Sequence, residues 1–164
     1  MLLMIACKQE PKSFVSWEIS GVMYNGKHIL EASDEEIPGK AIGMNIPAYD
    51  SVPAKTIITF EDKEQNWIVS MNIPTDSTEI TLEKGSPDNF ILTDTKLKRS
   101  LYPRGLKISI VPDSTAVDSS IQDSTLLNLS LQFNGEMFLR DSNGTEQIHK
   151  VKGELRFMQP WKEN

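Results

Sequence analysis

The sequence has too little of three residue types to build several familiar kinds of site. Its 164 residues include one cysteine and two histidines, which excludes an internal disulfide framework and a cysteine-based zinc site and leaves little for a histidine-rich metal centre. Basic residues are also in deficit, since 17 Lys and Arg against 23 Asp and Glu leave a net charge of −6. Nonspecific nucleic-acid binding needs a strongly cationic surface that releases phosphate counterions. We therefore expect no metal, no cofactor and no nucleic-acid partner.

The short motifs by which common enzyme classes are recognised are missing too. The sequence contains no Gly-x-Ser-x-Gly elbow, no His-Glu-x-x-His, no phosphate loop and no dinucleotide fingerprint. We expect a non-enzymatic protein. Two carboxylates brought together only in space, as in glycosidases, leave no such mark, so a small hydrolase remains open as the less favoured alternative.

What is present is the composition of one ordinary domain. Hydrophobic residues make up 38% and charged residues 24% of the chain, as in globular proteins rather than disordered ones. The length fits one domain better than two. No segment after Cys7 is apolar enough to span a bilayer.

Alternation of apolar and polar residues with a period of two runs through most of the chain. Trp17, Ile19 and Met23 alternate with polar residues before a hairpin signal at Asn25-Gly26. No window of 11 residues shows a helical stripe, so the pattern predicts an all-β, antiparallel protein. The predicted strands include 17–23, 28–30, 56–61, 67–73, 80–82, 90–101 and 106–111, with a brief one around 42–46.

The last third of the chain predicts two long strands. Apolar residues keep one parity from Leu127 to Leu139, straight through Asn134-Gly135. A two-residue turn there would put Glu136 on the core face, so we predict one strand over 125–140 with Gly135 at a bulge or close contact. The chain then reverses at 141–144, and a final strand points its Val151, Gly153, Leu155 and Phe157 inward. Both histidines, His28 and His149, fall on inward parity and are expected to be structural.

The first seven residues, Met1–Cys7, are an apolar run that ends in Ala6 and the single cysteine, and the polar tract Lys8–Lys12 follows. This segment resembles the end of a bacterial lipoprotein signal peptide, where an apolar stretch precedes a small residue and the lipid-bearing cysteine. Six apolar residues are fewer than the roughly 7–15 of such a stretch, and no basic residue precedes them, so this interpretation places the natural start upstream of Met1. The alternative is a cytosolic protein with Cys7 buried in its first strand.

The lipoprotein interpretation divides the chain into four parts. It predicts a signal-peptide remnant (1–6), a tether (7–13), a β-domain (14–158) and a tail (159–164). Cys7 would carry the lipid that holds the protein to the outer or inner membrane of a cell envelope, facing the periplasm or the surface.

Two sets of residues are candidate sites. A basic stretch puts five cations and an aromatic ring within 12 positions, with no acid between Thr95 and Pro112. An anionic ligand such as a polysaccharide or a lipid head group would bind such a stretch, although basic residues that protect an edge strand give the same pattern. The stretch consists of Lys96, Lys98, Arg99, Tyr102, Arg104 and Lys107.

The second set is a repeated Asp-Ser pair followed by Thr or a hydrophobic residue. It resembles the acceptor pattern for O-glycans on secreted proteins of some gram-negative bacteria, which makes Ser51, Ser77, Ser114 and Ser124 candidate modification sites. The alternative is turn formation, because an aspartate side chain readily closes a turn on the residues that follow it.

Segments at the two ends carry a wider resemblance. Trp17–Tyr24, Phe133–Gly135 and Val151–Phe157 resemble the first and last strands of small envelope lipoproteins with one antiparallel β-domain. The resemblance implies a β-sandwich of about eight to nine strands and an accessory role, binding a protein or glycan partner. Phe90–Leu97 is similar in rhythm to strands of lipocalin-like bacterial lipoproteins, which implies as the alternative a closed barrel that carries a small apolar ligand.

Overall fold

A computed structural model of the chain describes residues 13–21, 24, 26–32, 41–75, 77–111, 128–140 and 143–158, with the side chains of these residues except 31, 32 and 128. The predictions for Cys7, Ser114 and Ser124 lie outside the described residues, as do those for the signal-peptide remnant, most of the tether and the tail.

Antiparallel β-strands make up the described part of the chain, which confirms the all-β prediction. The residues that the structure describes form eleven strands, more than the eight or nine expected, because 41–46 forms a strand of its own and the predicted strand 90–101 is two. The strands are β1 (Ser13–Ser20), β2 (Gly26–Ala32), β3 (Ala41–Ile46), β4 (Lys55–Asp62), β5 (Trp67–Pro74), β6 (Glu79–Leu82), β7 (Asn89–Asp94), β8 (Arg99–Pro103), β9 (Leu106–Val111), β10 (Asn128–Arg140) and β11 (Glu146–Met158).

The strands form one sheet, curled into a half-barrel, in the order β2-β1-β11-β10-β8-β7-β5-β4-β3. The long strand β10 creates a branch in this sheet. Its residues 130–134 pair with β9, to which β6 adds, whereas Met137 and Phe138 pair with β8. The sheet therefore turns at β10, so that its two parts face each other across the core.

Aromatic rings from opposite walls meet inside the half-barrel. Phe90 on β7 and Phe133 on β10 have ring centroids 4.6 Å apart, and Phe60 on β4 lies 6.4 Å from Phe157 on β11. All four side chains are buried. Because these contacts join the two walls, side chains fill the interior along this line.

The prediction of one strand over 90–101 is wrong. The chain reverses within it: Asp94 pairs directly with Arg99, and residues 95–98 form the turn between β7 and β8. The Asp94 carboxylate accepts a hydrogen bond from the Leu97 backbone N–H at 2.8 Å, and Lys98 has a φ of 52°. Leu92 and Leu101 are nine positions apart, so one straight strand would place them on opposite faces, and the reversal allows both to be buried.

The prediction for the end of the chain is confirmed. β10 runs through Gly135 to Arg140, and β11 returns beside it with Val151, Leu155 and Phe157 buried. The hairpin of β1 and β2 is also present, but Gly26 pairs with Ile19, so Gly26 belongs to a strand rather than to a two-residue turn.

Candidate functional site

The predicted basic stretch divides between two grooves on the outside of the half-barrel. Lys98, Arg99 and Tyr102 line one groove of about 560 Å³. Lys107 lines a different groove of about 580 Å³, and Lys96 is exposed in the turn between β7 and β8. We call the first the Tyr102 groove; it is lined by Lys98, Arg99, Ser100, Tyr102, Phe138, Leu139 and Arg140.

An aromatic pair forms the apolar part of the Tyr102 groove. Tyr102 on β8 is the cross-strand partner of Phe138 on β10, and their ring centroids are 5.7 Å apart with 36° between the planes. Both side chains point outward because their chain neighbours Leu101, Met137 and Leu139 point into the core. Phe138 is buried, whereas Tyr102 is 41% exposed, so the tyrosine ring is available to a ligand.

Three cations meet one carboxylate beside this pair. Glu146 accepts hydrogen bonds from Lys84 at 2.5 Å and Arg140 at 3.0 Å, and Arg104 lies 3.6 Å away. The hydrogen bond from Lys84 and then that from Arg140 lower the pKa of Glu146 below its usual value. Lys84 Nζ also lies 5.3 Å from the centroid of the Phe138 ring, a cation–π distance. Three positive charges against one negative leave this cluster cationic.

The arrangement suits an anion attached to a flat, partly apolar body. Guanidinium and ammonium groups bind carboxylate, sulfate or phosphate, and a half-exposed tyrosine ring offers a face for stacking. Glu146 holds the three cations in place and takes up only part of their charge.

Sequence reasoning found Lys98, Arg99, Tyr102 and Arg104 but missed Lys84, Phe138, Arg140 and Glu146. Lys84 and Glu146 are 62 residues apart, and their elements are brought together because β6, which ends just before Lys84, pairs with β9, β9 pairs with β10, and β10 pairs with β11. The available signal was Phe138, an aromatic residue on the polar parity of β10.

The second groove crosses the outer face of six strands and carries charges of both signs. Cross-strand pairing sets Glu18, Lys152, Asn134 and Lys107 in one row, with Lys27 beside Glu18. Lys152 lies 3.4 Å from Glu18, and both side chains are at least half exposed. The neighbouring row consists of Ser16, Glu154, Gln132, Ser109 and Glu79.

The two serines of the modification pattern that are described differ in exposure. Ser51 is exposed in the turn after β3, where Tyr49 and Val52 form an isolated bridge. Ser77 is half-buried before β6. Modification at Ser51 and Ser77 stays a prediction.

A buried cluster of rings lies inside the half-barrel near the end of β1. Trp17 stacks on His28 at 5.2 Å and meets Trp67 edge-on at 5.4 Å, while Tyr24 lies edge-on to His149 at 5.6 Å. Burial lowers the pKa of both histidines and raises the pKa of Tyr24. The inward positions predicted for the histidines are confirmed.

Among the described residues, no group of three or more His, Cys, Asp or Glu side chains is placed to hold a metal ion. Within the same residues, no helix is long and apolar enough to cross a membrane. Comparison of the chain with protein-family models, with curated protein sequences and with solved structures found no match.

Proposed function

We propose that this protein is a non-enzymatic binding module that holds an anionic glycan in the Tyr102 groove. One observation carries the proposal: the half-exposed Tyr102 ring stands on Phe138 beside three cations that share one carboxylate. Acidic sugars combine a ring whose C–H face packs on an aromatic side chain with a charged group that Arg or Lys binds.

We propose a cell-envelope setting for this module. The support is the lipoprotein-like segment that ends at Cys7, followed by a polar tract long enough to act as a tether. A lipid anchor would hold the groove at a surface rich in polysaccharide. The membrane, through Cys7, and an envelope glycan are then the two partners.

The tether is tested by labelling with radioactive palmitate in a bacterial host, with the gene expressed from its native upstream region. We expect the protein to incorporate label and the Cys7→Ala variant to incorporate none. Equal labelling of the two proteins, or none in either, would count against lipidation at this residue.

The carrier and the hydrolase are less well supported. A lipocalin-like carrier needs an open apolar interior, and the contacts of Phe90 with Phe133 and of Phe60 with Phe157 occupy that space. A glycosidase keeps its acid in a pocket poor in water. Glu18, the carboxylate of the second groove with a described ion-pair partner, lies at an open surface with a half-exposed side chain.

Binding is best tested with a ligand pair that differs only in charge. We expect polygalacturonate to bind the protein and its methyl-esterified form, which has lost the charge, to bind much more weakly. Removal of the Arg140 guanidinium, in Arg140→Gln, should weaken polygalacturonate binding about fivefold or more, equivalent to about 1 kcal/mol. The measurement is isothermal titration calorimetry at low and at moderate salt, because ion pairing with an exposed site weakens as salt rises.

The chain offers a matched control in Lys107→Gln. This variant loses the same charge from the same predicted basic stretch, but its side chain lines the second groove. We expect less than a twofold change. Tyr102→Ala should weaken binding while Tyr102→Phe keeps it, since the ring face rather than the hydroxyl contacts the sugar. Equal losses in Arg140→Gln and Lys107→Gln would indicate a diffuse charge effect and refute a site in the Tyr102 groove.

A further inference from the structure

Exposed apolar side chains are concentrated in one short region of the described chain. Of ten large hydrophobic residues exposed to solvent, five lie between residues 42 and 52. They are Ile42 (61% exposed), Met44 (51%), Ile46 (40%), Tyr49 and Val52. Single exposed hydrophobics are ordinary, but a cluster of this kind marks a contact surface.

The first three of these residues belong to β3, which is one end of the sheet. Among the described strands β3 pairs with β4 alone, so one row of its backbone N–H and C=O groups has none of these strands beside it. Natural edge strands are usually protected by a charged residue, most often lysine, or by proline. β3 has none within its six residues, whereas the edge strands β2 and β6 carry Lys27 and Glu79.

The other end of the sheet is less open. β2 approaches β4 across the open side of the half-barrel, which leaves β3 as the outer end. The inward-parity positions of β3 fit this placement, because Ala41 and Gly43 are only half-buried and Asn45 is exposed. A strand added beside β3 would meet backbone groups and apolar side chains at once.

We propose that β3 is the dimerisation edge of this protein and that its occupant is β3 of a second copy, paired antiparallel. Residues opposite each other in an antiparallel pair share a face of the sheet. A two-fold axis through Met44 therefore sets Met44 against Met44 of the second copy and Ile42 against Ile46. Gly43 and Asn45 then face each other on the inner side.

Charge supports a second copy as the occupant. A symmetric pairing sets each residue against a residue of the same set, and like charges directly opposite each other destabilise a sheet. Asp50 is the single charge between Ala41 and Ala54, so β3 brings none to the pairing. Pro47, which has no backbone N–H, ends the pairing just past Ile46.

The first test is the mass of the full chain in solution, measured by sedimentation equilibrium over a range of concentrations with Cys7→Ser to prevent adventitious disulfides. We expect a monomer–dimer equilibrium, and we expect Met44→Lys to move its midpoint at least tenfold to higher concentration because two lysines then meet at the axis. Ile29→Lys on β2, whose native side chain is 47% exposed, is the matched control and should leave the midpoint unchanged. A protein that is monomeric at every concentration, or a dimer that Met44→Lys leaves intact, overturns the proposal.

A second test does not depend on how well a lysine is tolerated. In the Cys7→Ser background, Met44→Cys should form a disulfide-linked dimer under mild oxidation. Opposite residues of an antiparallel pair have Cα atoms about 4.5–5.5 Å apart, within the range that a disulfide spans. Ile29→Cys should form no such dimer, and equal cross-linking of the two variants would exclude β3 as the specific edge.

Discussion

Gly135→Ala is expected to lower the free energy of unfolding by about 4 kcal/mol. Gly135 has a φ of 154°, a conformation that other residues adopt only with strain of about 1–3 kcal/mol. It also lies where β10 passes the turn between β8 and β9. A methyl group there would lie under 3.0 Å from both the Gly105 carbonyl oxygen and Leu106 Cα. Overpacking of this kind adds about 1–3 kcal/mol more, and the obstacle is backbone, which cannot rotate away.

Gly26→Ala is the matched control for this prediction. Gly26 has nearly the same φ, 152°, and also lies in a strand, but nothing is within 4 Å of the position that its Cβ would take. It should therefore show the backbone strain alone, about 1–3 kcal/mol. Urea unfolding of the two variants and the unmodified protein measures the difference. Equal losses at the two positions would mean that the close approach to Gly105 contributes nothing.

Acidification from about pH 7.5 towards 5.5 is expected to destabilise the fold, chiefly through His149. This side chain is 2% exposed, and neither ring nitrogen has a hydrogen-bond partner. Burial lowers the pKa of His149 below 6.5. The nearby Ser20 backbone raises this pKa by a smaller amount, and it lies outside hydrogen-bond geometry.

The direction follows from which state binds the proton. Below pH 6.5 the unfolded chain gains a proton on this histidine while the folded protein holds it neutral, so protons favour unfolding. The stability is complete at pH values well above 6.5, begins to fall as the pH approaches 6.5, and then falls by at most about 1.4 kcal/mol per pH unit until the folded-state pKa is passed. Glu146 acts in the same direction only below its ordinary pKa of 4.5, outside this range.

His149→Phe should flatten the dependence of unfolding free energy on pH, since phenylalanine does not titrate. His28→Phe is the comparison: burial lowers the pKa of His28 too, but Asp94 opposes the shift. His28 is also only half-buried, so we expect a smaller change in slope. Urea unfolding at several pH values gives the slopes. A slope unchanged by His149→Phe would place the titrating group elsewhere.

At Gly135 the alternation of the sequence predicted both the strand and a close contact. Unbroken parity from Leu127 to Leu139 predicted one long strand with a close contact at this glycine, because a turn would have buried Glu136. The structure puts the Gly105 carbonyl beside it. The turn at 95–98 shows the opposite case. The hydrogen bond from the Leu97 N–H to Asp94 closes it, and the sequence signal for it was the change of parity between Leu92 and Leu101, which are both buried.

The order of residues alone therefore determined the strand class, the inward and outward faces and the two final strands, since these depend on a period of two read locally. The three-dimensional pairing alone decided which cations lie side by side. β10 divides its length between β8 and β9, and this division joins Lys84, Arg104 and Arg140 at Glu146 while sending Lys107 to another face. Charges that are distant in the chain become neighbours only when strands pair. The strength of their interaction depends on their distance in space and not on their separation in the sequence.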